Sequence, residues 1–167
     1  MTKYKVNKQL NTFRQDIEMI IDSREQEFAY ILSDYFSRNK IKSRIQKLES
    51  GDNSFIYRGQ DYSSLFSVDR KRNIDELIGN FCEERFYKEL DRAKSFKYFS
   101  FVIESGNLSL LYSGKYRSSM KKKSAIGIFE SWTARGIHFE FIDGLNFGNF
   151  LIWKIYYFLR NELLNTL

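Results

Sequence analysis

Three residue types are scarce or missing in this chain of 167 residues, and their scarcity excludes several kinds of site. Proline is absent, and cysteine and histidine occur once each, at Cys82 and His138. A single cysteine cannot form an intramolecular disulfide, and zinc sites built from several cysteines or paired histidines are excluded. We expect Cys82 to be buried on a helix face as a small apolar residue. Hydrolytic chemistry would therefore rest on carboxylates and lysine.

Long apolar runs and nucleotide-binding loops are also missing. The most apolar stretch, residues 145–159, is interrupted by Asn146, Asn149 and Lys154. It is shorter than the about 20 residues that a membrane helix needs, so we expect no membrane partner. The N-terminal residues lack the apolar run of a secretory signal, so we expect a cytoplasmic protein. Neither a Walker loop nor a G-x-G-x-x-G pattern is present, which argues against nucleotide-driven chemistry.

Composition indicates a packed, basic globular protein. Hydrophobic residues make up 43% of the chain and aromatic residues 17%, which is too many for a disordered chain. Lysine and arginine number 27 against 21 acids, giving a net charge of +6. A basic surface favours a polyanionic partner such as DNA. The length suits one domain, which we predict over residues 17–167 behind a loose polar arm at residues 1–16.

Apolar periodicity predicts alternating strands and helices. Strands are predicted near residues 17–22, 42–49, 53–58, 65–71, 98–104 and 137–142. Helices are predicted near residues 25–39, 73–94, 118–134 and 145–165. Asn73 is a plausible N-cap, and His138 alternates with apolar residues, so we expect it to face away from the core. This order predicts an α/β fold with a central mixed β-sheet flanked by helices on both faces.

The stretch from Val68 to Leu77 holds the most informative charges. Asp69, Arg70 and Lys71 are consecutive, and Asp75 follows four residues after the lysine. Residues two apart on a strand share a face, so Asp69 and Lys71 should point together and Arg70 away. Metal-assisted phosphodiester cleavage needs such a pair, because the acid holds a divalent cation and the lysine orients water and offsets charge. Taken alone, the same charges could be a solvated junction.

Two upstream motifs favour the catalytic interpretation. The segment Ile21–Glu25 reads I-D-S-R-E after a short apolar run, and Gly51-Asp52 lies between two predicted strands. Together with D-R-K-R-N-I-D at Asp69–Asp75, they resemble the V-D-x-R-E, G-D and E-R-K-x-x-x-D signatures of the XPF family of structure-specific endonucleases. The resemblance covers roughly residues 17 to 165. Asp69 stands where the family usually has glutamate, and Asn53 where an aromatic residue commonly follows G-D.

The resemblance implies a restriction-endonuclease-like core and a set of site residues. The implied ligands of Mg²⁺ or Mn²⁺ are Asp52, Asp69, Asp22 and Glu25. The implied catalytic group is Lys71 with Asp52, Asp69, Arg70 and Asp75, of which Arg70 and Asp75 could support the ligands or clamp phosphate. From the residues alone, Asp22 could be a helix cap. Glu25 and Asp75 could simply complement helix dipoles.

Surface residues suggest two kinds of partner. Expected DNA contacts are Arg24, Arg72, Arg117, Lys121, Lys122 and Lys123, although a charge run can also be a solvated helix face. The last predicted helix is apolar around most of its circumference, so it is either enclosed in the core or paired with another subunit. We expect a homodimer through Trp153, Tyr156 and Tyr157.

The predicted function is a metal-dependent structure-specific endonuclease. It would cut flap, fork or junction DNA in recombination, repair or replication, in a phage or in the cytoplasm of a bacterial host. XPF-type enzymes generally carry a helix-hairpin-helix module, and this sequence shows none, so we expect a standalone domain that a protein partner could target to its substrate. A catalytically silent DNA-binding member and a regulatory interaction protein on a nuclease fold remain alternatives. Silent members usually lose the acids, which are all present here.

Overall fold

The structure, a computed structural model, describes residues 3 to 165. Its strands are β1 (Ile17–Asp22), β2 (Lys42–Gln46), β3 (Asn53–Tyr57), β4 (Gln60–Asp61), β5 (Phe66–Lys71), β6 (Tyr98–Ile103) and β7 (His138–Phe141). Its α-helices are α1 (Lys3–Gln9), α2 (Phe13–Asp16), α3 (Glu27–Arg38), α4 (Ile74–Asn80), α5 (Glu84–Ala93), α6 (Leu108–Ser113), α7 (Lys122–Thr133) and α8 (Phe147–Asn165). Short 3₁₀ helices span Ser23–Glu25 and Gly144–Asn146.

The chain forms two compact units. The first comprises the chain up to Leu48, the segment Asn53–Ser63 and the chain from Asn146 onward. The second comprises Glu49–Asp52 and Ser64–Leu145. Strands and helices occur in both units, and strand pairs are parallel in some places and antiparallel in others. The predicted α/β class with a mixed sheet is therefore confirmed.

The first unit is organised around β1. This strand pairs in parallel with β2 and antiparallel with β3, and β3 pairs with β4. α3 connects β1 to β2, packs on both, and also contacts α8. The central strand is apolar at nearly every position because its neighbours and α3 cover it, and Ile17, Met19, Ile20 and Ile21 are all buried.

The prediction of a loose N-terminal arm is wrong for residues 3–16. α1 and α2 form there, and α1 packs on α8. Val6, Leu10 and Phe13 are buried, and the Phe13 ring meets the edge of Tyr156 with centroids 5.3 Å apart. These three residues follow helical spacing, but they form so narrow an apolar stripe that the surrounding polar residues conceal it. Residues 1 and 2 lie outside the described part of the chain.

The second unit contains three parallel strands, with β6 between β5 and β7. Parallel neighbours need crossover connections, which α4 and α5 provide between β5 and β6, and α6 and α7 between β6 and β7. An aromatic-rich core packs these helices on the strands, including Phe86, Phe99, Phe101 and Phe129. The carboxyl ends of all three strands therefore share one edge, where ligands commonly bind in such folds.

Tertiary packing changes two predicted helices and adds one that was not predicted. The helix predicted over residues 73–94 is split after α4, α6 was not predicted, and α7 begins at Lys122 instead of residue 118. The buried rings of Phe81 and Phe86 contact each other at 5.5 Å. Five residues of continuous helix would turn these side chains about 140° apart, so the break lets both enter the same core. Cys82 lies in this break and is exposed, not buried as predicted.

Two further predictions concern single features. His138 is exposed on β7, as its alternation with apolar residues indicated. Asn73 caps α4, because its side chain accepts a hydrogen bond from the backbone N–H of Glu76 at 2.9 Å. Between residues 3 and 165, no helix has both the length and the apolar character that crossing a membrane requires.

Candidate active site

Asp69 and Lys71 form a buried ion pair on β5. Lys71 Nζ lies 2.5 Å from Asp69 Oδ1, which confirms that the two side chains share a face of the strand. Only 4% of Asp69 and 7% of Lys71 is exposed. Apart from this ammonium, no group among residues 3–165 donates to Asp69 Oδ1. A buried carboxylate oxygen with one cationic partner and no other donor is well suited to a further cation.

The electrostatic balance around this pair is negative. Burial raises the pKa of Asp69 well above its ordinary value, and the nearby charge of Asp52 raises it further against the opposing effect of Lys71. Burial acts to lower the pKa of Lys71, but the carboxylates of Asp69, Asp52 and Glu89 outweigh it and leave this pKa raised. Lys71 therefore stays protonated, and the surrounding acids repel one another. A divalent cation would relieve that repulsion.

Asp52 is held against β5 by backbone contacts. Its N–H donates to the carbonyl of Val68 at 2.8 Å, and its Oδ2 accepts from the N–H of Arg70 at 2.7 Å. Gly51 has a φ of 68°, and a Cβ at this position would clash with Ser67 Oγ. Only glycine allows the chain to approach β5 so closely. This is the physical reason for the Gly-Asp pair in the sequence.

Asp69 and Lys71 pair with each other, whereas Arg70 between them pairs with Glu104. Its Nη2 donates to Glu104 Oε2 at 2.6 Å, and both side chains are nearly buried. Glu104 follows β6, and its N–H donates to the carbonyl of Lys71 at 2.9 Å. A Cβ on Gly144 would lie 3.3 Å from Glu104 Cβ, so a glycine packs against this acid. Arg70 and Glu104 thus join the ends of β5 and β6 beside the Asp69–Lys71 pair.

In the first unit, Asp22 is fully buried at the end of β1. Its Oδ1 accepts from the backbone N–H and the Nε of Arg24, both at 2.7 Å. Its Oδ2 accepts from the N–H of Leu48 at 2.6 Å and from Arg24 Nη2 at 2.8 Å. Burial acts to raise the pKa of Asp22, but these hydrogen bonds and the arginine charge leave it lowered.

These contacts make Asp22 a helix cap, and its role as a metal ligand stays a prediction. Asp22 is the N-cap of the 3₁₀ helix Ser23–Glu25, and its four hydrogen bonds use the lone pairs that a cation would need. Arg24, predicted to contact DNA, also donates to the carbonyl of Leu48 at 3.0 Å. Its guanidinium is therefore engaged with the segment around Leu48.

Comparison with known proteins agrees with the three sequence motifs. The model of the ERCC4 domain matches residues 21–153. The chain belongs to the ERCC4 domain family. The XPF nuclease resemblance and the restriction-endonuclease-like fold that it implies are thereby confirmed. A search of curated proteins finds no match.

Two solved structures share the fold of this ERCC4 domain. XPF from Aeropyrum pernix is 16% identical with a TM-score of 0.57, and the match covers 87% of this chain and 65% of that one. XPF from Aeropyrum pernix in complex with DNA is 15% identical with a TM-score of 0.59, covering 84% and 64%. This chain therefore spans somewhat less than two thirds of either structure.

The predicted metal ligands divide between the two units of the ERCC4 domain. Asp22 and Glu25 lie in the first unit, and Asp52 and Asp69 in the second. Within the described residues, no three acids, cysteines or histidines are grouped closely enough to enclose a metal ion. Mg²⁺ is commonly held by one or two carboxylates, with waters and substrate phosphates completing its shell. Asp52 and Asp69 fit a cation of that kind better than one enclosed by protein ligands alone.

The remaining predicted residues lie on the surface of the second unit. The N–H and Nε of Arg72 donate to Glu76. Lys121, Lys122 and Lys123 are exposed at the start of α7. Asp75, predicted to be catalytic, accepts a hydrogen bond from the N–H of Arg117 at 2.6 Å.

Two acids near the pair were not predicted as site residues. Glu89 lies on α5, and its charge adds to the effects of burial and Asp52 on the pKa of Asp69. Its place beside the buried Leu90 could be predicted from helical spacing, but its proximity to β5 depends on how α5 packs. Glu104 directly follows the buried strand β6, and the sequence signal for it was an apolar strand that ends in glutamate, as in the XPF family.

The predicted dimer residues lie on α8 in the first unit. One face of this helix is buried through Leu151, Ile155 and Leu159. Trp153 and Tyr157 are each 53% exposed, and their rings stack with centroids 6.1 Å apart. The helix is therefore partly enclosed in the core and still presents an aromatic surface.

Proposed function

We propose that this protein is a metal-dependent, structure-specific endonuclease that hydrolyses phosphodiester bonds in branched DNA. The observation that carries the proposal is the buried Asp69 carboxylate, whose Oδ1 meets the Lys71 ammonium and no other donor while the charge of Asp52 lies near it. Membership of the ERCC4 domain family supports the same chemistry.

Each residue has a distinct role in this proposal. Asp52 and Asp69 would hold Mg²⁺ or Mn²⁺, which when bound polarises a phosphoryl oxygen and acidifies a bound water. The Lys71 ammonium, kept protonated by the surrounding carboxylates, orients the attacking water and stabilises negative charge that develops on the phosphate. Arg70 and Glu104 hold the end of β5 so that the carboxylates and the ammonium keep their positions.

The surface charge supports DNA as the substrate. The net charge is +6, and Lys121, Lys122 and Lys123 surround the N-terminus of α7, whose first turn contains no acid. A helix N-terminus and ammonium groups both favour phosphate, without reading base sequence. The similar XPF from Aeropyrum pernix was solved in complex with DNA, which supports the same class of ligand.

We also propose that two copies associate through α8. Trp153 and Tyr157 expose more than half of their surface, and Tyr156 lies beside them with its ring centroid 5.3 Å from that of Tyr157. Exposed clusters of aromatic side chains are typical of interaction surfaces, where such residues contribute much of the binding energy.

The decisive experiment is cleavage of labelled flap, fork, four-way junction and linear DNA with Mg²⁺, Mn²⁺ or EDTA. We expect branched DNA to be nicked only with a metal ion. Asp52→Asn should lower the rate by at least about 100-fold, because the metal stabilises transition-state charge. DNA binding should persist, since removing an acid reduces repulsion of phosphate.

Asp91→Asn is the matched control, because Asp91 is an exposed acid on α5 that pairs with the neighbouring Lys94 at 2.7 Å. It should cleave like the wild type. DNA binding without metal-dependent cleavage would identify a silent member of the family. Absence of both activities would favour the regulatory alternative, and unchanged cleavage by Asp52→Asn would contradict the assigned site.

A further inference from the structure

A pocket of about 350 Å³ lies in the second unit, directly after the strands of the candidate site. It is bounded by the start of α4, the loop after β6 and the turn after α6, and its lining includes Asn73, Ser105, Lys115 and Arg117. Asn73 follows Lys71 by two positions in the chain, a span of at most about 7 Å. The pocket therefore opens at the carboxyl edge of the parallel strands, close to the Asp69–Lys71 pair.

The walls of the pocket are held by specific contacts. Ser105 Oγ donates to the carbonyl of Arg72 at 2.8 Å, which connects the loop after β6 to the end of β5. The N–H of Lys115 donates to the carbonyl of Leu110 at 3.0 Å. Gly106 has a φ of 97°, and a Cβ there would lie 2.9 Å from the Leu110 side chain, so the loop packs closely on α6. The turn after α6, which carries Lys115 and Arg117, is thus fixed to the wall of the pocket.

Asp75 attaches this turn to α4 while leaving its cation exposed. Asp75 Oδ1 accepts from the N–H of Arg117 at 2.6 Å, and Asp75 Oδ2 lies 3.8 Å from Arg117 Nε, beyond hydrogen-bond distance. The Arg117 side chain is 93% exposed. The carboxylate therefore fixes the backbone of Arg117 and does not cover the guanidinium.

We propose that this pocket binds a backbone phosphate of the substrate strand other than the scissile one, with Lys115 and Arg117 as its cationic donors. Asp75 acts as a positioning residue that holds Arg117. Arginine can bind phosphate through two parallel hydrogen bonds, and lysine adds a compact charge. The lining contains two cations and one acid, so its balance is positive. The proposal rests on the proposed function, because it assigns a substrate subsite to the same site.

The test is the salt dependence of DNA binding by the double variant Lys115→Ala/Arg117→Ala. Binding of a labelled flap DNA is measured in EDTA over a range of salt concentrations, so that cleavage does not interfere. Loss of one phosphate contact should reduce the slope of log K against log salt by roughly 0.9. The same relation predicts a dissociation constant roughly tenfold higher at 0.1 M salt.

The matched control is Arg38→Ala/Lys88→Ala. It removes two exposed cations that each pair with an acid one helical turn away, Asp34 and Glu84. The slope of this control should equal that of the wild type. If Lys115→Ala/Arg117→Ala had the salt slope and the DNA affinity of the control, the proposed phosphate pocket would be overturned.

Two variants of Asp75 separate positioning from catalysis. Asp75→Asn keeps an oxygen that can accept the N–H of Arg117, whereas Asp75→Ala removes it. We expect the dissociation constant and KM to rise much more for Asp75→Ala than for Asp75→Asn. In both variants kcat should change less than the dissociation constant and KM do. A kcat of Asp75→Asn as low as that of Asp52→Asn would overturn the positioning role.

The measurements also distinguish the pocket from the proposed function. Metal-dependent cleavage by the wild type, together with an unchanged salt slope in the double variant, would overturn only the pocket. A wild type that neither binds nor cleaves branched DNA would overturn both.

Discussion

Each compact unit buries an aspartate at or near the end of a strand, and the two aspartates have opposite surroundings. Asp22 accepts four hydrogen bonds, and its pKa lies below the ordinary value. Asp69 has an oxygen that meets only the Lys71 ammonium, and its pKa is raised. Burial of an acid is therefore a poor guide to a reactive site. The better guide is a buried acid whose hydrogen bonds are incomplete.

The local course of the chain explains the difference. After β1 the chain turns into a 3₁₀ helix, so Arg24 folds back onto Asp22. At β5 the chain stays extended past Asp69, and Arg70 points to Glu104 because successive side chains on a strand alternate. Both aspartates have an arginine within two residues in the sequence, yet only Asp22 is neutralised by it.

The largest expected effect comes from Asp69→Asn. Cleavage of branched DNA should fall by at least about 100-fold, because a proposed ligand of the metal is lost. The free energy of unfolding should change less than in Asp22→Asn, because the asparagine removes a poorly solvated charge while Asp52 and Glu89 still compensate Lys71. Single-turnover cleavage and urea unfolding measure the two quantities. Cleavage by Asp69→Asn at the rate of the wild type would remove the contrast between the two aspartates.

Asp22→Asn should mainly affect stability. We expect the free energy of unfolding to fall by about 3 kcal/mol at neutral pH, since hydrogen bonds to a charged, buried acceptor are weakened. The lowered pKa of Asp22 means that its contribution is complete above the unfolded pKa of about 4 and is lost as the pH falls further. The gap between wild type and variant should therefore shrink in acid, as measured by urea unfolding at several pH values.

A folded Asp22→Asn protein with normal stability and abolished cleavage would contradict the role of Asp22 as a cap. That outcome would instead support the metal ligand that the sequence motif implied.

The smallest effect on chemistry is expected from Trp153→Glu/Tyr157→Glu in the first unit. Both rings are exposed, so the new charges need not be buried, and the variant should be a folded monomer that binds DNA more weakly. A symmetric interface contains each change twice. Light scattering measures the mass, and Tyr30→Glu on the exposed face of α3 is the control. A monomeric wild type would contradict the proposed dimer and leave the comparison of the aspartates intact.

Sequence alone determined the features that depend on short spacings along the chain. Period-two and helical patterns located β1, β5, β6, α3 and α8 to within a few residues. Strand alternation also predicted that Asp69 and Lys71 share a face, and the order of three motifs indicated the family. These inferences succeeded because the geometry of neighbouring residues is nearly the same in every fold.

Tertiary structure alone decided which of these acids have their hydrogen bonds completed. Asp22 meets Leu48, Arg70 meets Glu104 and Asp75 meets Arg117, each across more than twenty residues of chain. The same dependence on distant contacts turned residues 3–16 into packed helices and broke the helix between Phe81 and Phe86. Whether a buried charge finds a partner is set by how elements pack, and no local spacing carries that information.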